Sequence, residues 1–157
     1  MKHKHKIEWH GNTYYYLGMD KRGINYYMKD FTWDCGWYWS GGWVESFDNN
    51  DNPEKSKDIL SHAHFDTLIF KDQIMCFYEF NKNFVSSPFD TDEIWELCEL
   101  MKEFYLLWDY ANFCVRGHCG ISRTADYNKN INMQEYENVN KSIMPKLFDK
   151  IRKVLTK

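Results

Sequence analysis

The apolar pattern of this chain changes period once, and that change restricts the fold more than any single motif does. Up to about residue 48, short runs rich in Tyr, Trp and Phe are cut by turn residues: KIEWH, TYYYLGM and INYYMKDF, separated by HGN and DKRG. Side chains alternate across a strand, and aromatic residues favour its pleated surface, so these runs read as antiparallel strands. Asp20 and Gly23 suit the reverse turn of a hairpin. FTWDCGWYWSGGWVESF adds a fourth strand and a fifth, and Pro53 in the polar loop DNNDNPEKSKD blocks further extension.

From about residue 70 the spacing becomes helical. Ile74, Phe77, Tyr78, Asn81, Phe84 and Val85 share a stripe. After Pro88, Asp90 and Glu93 form the pattern of a capping box, and Ile94, Leu97, Cys98, Met101, Tyr105 and Trp108 line one face up to Gly117. A last stretch from about 132 to 155 turns Tyr136, Val139, Ile143, Leu147, Ile151 and Val154 inward; Pro145 kinks it or restarts it with Ser142 as cap. Strands first and helices after predict an α+β fold: an antiparallel β-meander of four to five strands packed against three C-terminal helices. The expected organisation is one domain over 1–157, mainly sheet at 1–48 and mainly helical at 70–157.

Aromatics make up 18% of the chain while mean hydropathy is only -0.70, so the core must be built from large rings. The tryptophan stretch admits two arrangements. An unbroken strand puts Trp33, Cys35, Trp37, Trp39 and Trp43 on one face. A two-residue turn at Gly41-Gly42, the preferred arrangement, moves Trp43 to the face opposite Trp39. In both, Trp33, Trp37 and Trp39 share a side and are expected to be core. Alternation splits Tyr14 to Tyr16 and the pair Tyr26-Tyr27 between the faces. The reverse face, with Tyr15, Tyr27, Tyr38 and Trp43, is therefore the expected contact surface.

A net charge of -3 argues against a general nucleic-acid binder. No apolar run reaches the ~18 residues of a membrane helix, and the five scattered cysteines point to a reduced, cytoplasmic setting. His3 and His5, in the opening MKHKHK, are left out of the site arguments. The H-x-H of His62 and His64 with Asp66, joined by Cys35 or His118, is the alternative site: a small metal- or His/Cys-dependent enzyme acting on nucleotides or nucleic acid. Its bland reading is loop ordering, which is preferred, so no catalytic residue, metal or cofactor is expected. Arg116, beside Gly117, is a candidate anion contact. Residues 90–103 are acidic, with Asp92, Glu96, Glu99 and Glu103 set against one lysine, while 141–157 are basic. The acid serves the helix macrodipole, pairs with the basic run, or steers a basic partner.

YYYLGMDKRGINYYM, WDCGWYWSGGWVESF, SHAHFDTLIF and DEIWELCELMKEFYLLWDY resemble a family of small phage- and prophage-borne proteins with no established activity to carry over. The segment after Arg116-Gly117, HCGISRTADY, departs from the pattern of such relatives, so no loop site is transferred. The resemblance implies a non-enzymatic interaction protein of a mobile element, inhibiting a host defence complex in the manner of an anti-CRISPR. The expected partner is a host protein or ribonucleoprotein. Single-stranded nucleic acid is a secondary alternative.

Overall fold

The tyrosine-rich run at 12–29 becomes the centre of a five-stranded antiparallel sheet. The computed structural model describes residues 3–34, 36, 38–42, 44–47, 84–114 and 132–157. Strands β1 (Lys6–Trp9), β2 (Asn12–Asp20), β3 (Asn25–Lys29) and β6 (Val44–Phe47) lie in the order β1-β2-β3-β6, and β7 (Phe84–Ser86) pairs with the far end of β2. Strands β4 (Thr32–Asp34) and β5 (Tyr38–Ser40) form a separate hairpin. The helices are α1 (Thr91–Cys114), α2 (Met133–Asn138), a π turn (Val139–Ile143) and α3 (Met144–Thr156). The α+β architecture is the expected one.

Alternation works as the tyrosine spacing predicts. Tyr15, Leu17, Tyr26 and Met28 join the core shared with the helices, while Tyr14, Tyr16 and Tyr27 form a second cluster with Ile7 and Trp9 on the other side. The hairpin between β2 and β3 is closed by Asp20. Its carboxylate accepts hydrogen bonds from the amides of Arg22 (2.8 Å) and Ile24 (3.1 Å), from the Tyr26 hydroxyl (2.7 Å) and from the Arg22 guanidinium (2.8 Å). Burial opposes charge on Asp20, but the bonds from Tyr26, Arg22 and the two amides outweigh it and hold the carboxyl below its ordinary value. Because the folded-state value is the lower one, the ionised carboxylate stabilises the fold above the unfolded-state value; that contribution is lost as pH falls through the folded one. Asp20→Ala should therefore cost about 2–3 kcal/mol at neutral pH, leaving the Tyr26 hydroxyl without its acceptor. In acid titrations of stability below the ordinary carboxylate range, the variant should lose less than the parent; parallel curves would refute the assignment.

Gly41-Gly42 is not a hairpin turn, which corrects the preferred reading of the tryptophan stretch. The turn lies between β4 and β5, around Gly36 at φ 73°, and makes Trp33 and Trp39 cross-strand partners with ring centroids 5.2 Å apart. The two tryptophans do share a side, but from adjacent strands. The double glycine is instead a corner between the two sheets, with the Gly42 amide donating to the Lys29 carbonyl at 2.8 Å.

Four helix expectations also change. Phe84 and Val85 belong to β7, where pairing with β2 overrides their helical spacing; residues 48–83 lie outside the described residues. Ser142 does not cap a restarted helix. The chain instead widens into the π turn, with the Met144 amide donating to Val139, and Pro145 enters the first turn of α3, where its missing N–H costs least. Ile143, expected inward, is exposed because the wider turn rotates it off the buried stripe. The Asn140 carbonyl would need the absent Pro145 N–H to continue the wide register, and the Trp39 indole N–H supplies the bond instead, at 2.9 Å. A helical defect written by one proline thus becomes the anchor of the tryptophan hairpin. Trp108, expected in the buried stripe, is partly exposed, yet its indole N–H reaches the Trp39 carbonyl at 3.0 Å.

Candidate docking surface

The capping box starts α1 as the sequence predicts. Asp90 accepts from the Glu93 amide at 2.8 Å, and Glu93 accepts from the Asp90 amide at 3.1 Å. Lys4 pairs with Glu93 and stands over the Phe89 ring at 4.8 Å, so the N-terminal segment clamps the start of the helix. Ile94, Leu97, Cys98, Met101, Phe104 and Tyr105 are buried. Burial and the Glu99 carboxylate push the Cys98 thiol up to about 12, leaving it protonated and a poor nucleophile.

The outer face of α1 is where carboxylates and exposed apolar side chains meet. Asp92, Glu96, Glu99 and Glu103 are all exposed. Beyond them Leu106, Tyr110 and Phe113 are 48%, 45% and 48% exposed, and Trp95 is 39% exposed. Leu106, Tyr110 and Phe113 leave an apolar stretch of this face open to water, and Tyr110 also shares a side-chain hydrogen bond with the buried Cys114. The basic run does approach the acidic one: Glu93 and Glu96 share a cleft with Lys150, Lys153, Val154 and Lys157 of α3. Asp92, Glu99 and Glu103 are not among that cleft's lining.

Two of the four expected sheet contacts, Tyr15 and Tyr27, are buried. Tyr15 is 5% exposed and belongs to the helix-covered core, where its hydroxyl donates to Asp30 at 3.3 Å. Tyr27 is fully buried on the reverse face, sharing a 2.8 Å hydrogen bond with His5 Nε2. His5 also stacks on Tyr16 at 4.6 Å, and Ile7 and Trp9 pack alongside. Rings on a second face are as costly to hydrate as rings on the first, so the chain before β1 helps to cover them. Burial and the neighbouring Glu45 carboxylate push the Tyr14 hydroxyl up to about 12. Tyr38 is half-buried in β5, its hydroxyl donating to Asp34 at 3.3 Å.

Trp43 and Arg116 lie outside the described residues, as do His62, His64, Asp66, Cys35 and His118 of the alternative site. Among the described residues no group of three His, Cys, Asp or Glu side chains is placed to hold a metal ion, and no helix is long and apolar enough to cross a membrane. Leu106, Tyr110 and Phe113 were missed in the sequence because they fall off the buried stripe. Their signal was present: large apolar residues at helical spacing beyond the acidic run.

No family model, curated protein or solved structure matches this chain.

Proposed function

We propose that the protein is a non-enzymatic binding protein whose outer α1 face docks on a basic host protein or ribonucleoprotein. A defence complex is the partner class that the sequence resemblance implies, with inhibition by occupancy as the outcome. The supporting observation is the coincidence on one helix face of exposed Leu106, Tyr110 and Phe113 with the exposed carboxylates of Asp92, Glu96, Glu99 and Glu103. Apolar side chains sealed from water supply most of the affinity at such an interface, and charges at its edge set encounter rate and partner choice. Relative to the sequence reading, the acidic residues keep their role, and the aromatic anchors move from the sheet to α1.

The test is capture from nuclease-treated host lysate by the parent chain and by a Leu106→Asp/Tyr110→Ala variant, with circular dichroism to establish that the variant is folded. The parent should retain one stoichiometric protein partner, and the variant should lose at least tenfold of it. Undiminished capture by the folded variant, or recovery of nucleic acid alone, overturns the reading.

A further inference from the structure

We infer that the cleft between the first turns of α1 and the last turns of α3 binds a phosphate dianion, as inorganic phosphate or as the phosphomonoester of a small molecule; this goes beyond the docking reading and does not rest on it. The cleft has a volume of about 210 Å³ and is lined by Glu93, Glu96, Lys150, Lys153, Val154 and Lys157. Glu93 is already matched by Lys4. Across the cleft the opposite charges stand apart: Glu96, Lys150, Lys153 and Lys157 make no ion pair among the described residues. The side chains around it, Lys4 included, carry four positive charges against two negative, a surplus of two.

Charge and size select the occupant. Lys146, Lys150, Lys153 and Lys157 follow one another along α3 at steps of four, three and four, all exposed. Like charges at those steps repel one another, and the helix macrodipole relieves them only within the last turn. An anion held between the ammonium groups relieves the rest. Val154, 7% exposed, forms an apolar part of the wall, and a low-dielectric wall concentrates the field of the charges beside it. The volume lies below the ~300–1,000 Å³ of pockets for drug-sized ligands, so the group that enters is compact. A phosphate dianion cancels the surplus of two and presents strong acceptors to several lysine donors at once. A carboxylate cancels only half of that surplus. A nucleic-acid backbone carries one charge per phosphate and would lay its next phosphates beside Glu93 and Glu96, which repel them.

The probe is sodium phosphate at pH 8, where it is a dianion, titrated into the full-length protein with lysine side chains labelled for NMR. Sodium chloride at matched ionic strength is the reference. Phosphate should shift the Lys150 and Lys153 side-chain signals saturably. Lys150→Gln/Lys153→Gln should weaken it at least tenfold, by removing two charged donors. Glu96→Gln should tighten it roughly threefold, by removing a carboxylate that faces the site. Phosphoserine and a nucleoside monophosphate separate the sources: tighter binding of either at the same lysines names an organic phosphomonoester, and equal or weaker binding names inorganic phosphate. Shifts that are linear and equal in chloride overturn the inference, as does phosphate binding unchanged in the folded double-lysine variant. An oligonucleotide that binds these lysines more tightly than every monophosphate, with steep salt dependence, overturns it in favour of a polyanion surface. Capture of the lysate partner is read separately through Leu106 and Tyr110, so the failure of either reading leaves the other standing.

Discussion

Gly41→Ala should destabilise the protein by more than about 3 kcal/mol, a large share of the ~5–15 kcal/mol that holds a typical domain together. Two constraints meet at this residue. Its φ of 121° lies where an L side chain is strained, and an added Cβ would stand 2.4 Å from the Asp30 carbonyl oxygen and 2.9 Å from the Phe31 Cα. Both obstacles are backbone, in the chain that carries Phe31 into the core, so relief requires the corner between the two sheets to move. Gly36→Ala is the matched comparison: its φ is 73°, but an added Cβ there meets nothing within 4 Å. The cost at Gly36 should stay near ~1–2 kcal/mol, the backbone strain alone. Urea denaturation followed by tryptophan fluorescence separates the two. Equal losses would mean that the corner is not closely packed.

Phe148→Ala should cost about 3–5 kcal/mol. The ring is 1% exposed and stacks on Phe31 with centroids 4.1 Å apart at an interplanar angle of 11°. Trp39 meets it edge-on at 4.9 Å, Phe104 lies 5.7 Å away, and the Arg152 guanidinium stands 5.8 Å above it. Removing it opens a cavity where the sheet, the tryptophan hairpin, α1 and α3 meet. It also takes the apolar support from beside the Arg152–Asp30 ion pair, 2.9 Å, which ties α3 to the sheet. Phe148→Leu should recover part of the loss, since it refills some of the volume. Leu106→Ala, at a residue 48% exposed, should stay within ~0.5 kcal/mol. A Leu106→Ala loss comparable to Phe148→Ala would show that the outer α1 face serves the core, and would remove the docking reading.

The proposed surface lies apart from the core at Glu99 and Leu106, while Tyr110 shares a side-chain hydrogen bond with the buried Cys114. On α1 the same 3.6-residue geometry sends Leu97, Met101 and Phe104 inward and Glu99, Leu106 and Tyr110 outward. Substitutions at Leu106 and Glu99 can therefore be read as changes in binding, provided stability is measured beside them.

Much of the local structure was legible before the fold was known. Asp90 and Glu93 announce the start of α1 because a capping box is made within four residues. Asp20 and Gly23 announce the β2–β3 turn, and the alternation of Tyr14 to Tyr16 announces which rings part company, for the same reason: each depends on neighbours in the chain. The acidic face was legible too. Its apolar continuation at Leu106, Tyr110 and Phe113 was not legible, because periodicity alone does not say which side of an apolar-rich helix the sheet and α3 will cover.

What the sequence determined by itself was set by contacts of short range: strands then helices, the cap of α1, the hairpin at Asp20 and the burial of large rings. Tertiary structure alone decided where those rings stopped being surface. Tyr27 is buried because His5, more than twenty residues away, reaches its hydroxyl, and Trp39 is anchored because the carbonyl of Asn140 has no helical donor. Gly41-Gly42 became a corner because the Asp30 backbone passes against it. A dipeptide suited to a tight turn is equally suited to a close backbone approach, and only the path of the distant chain chooses between them.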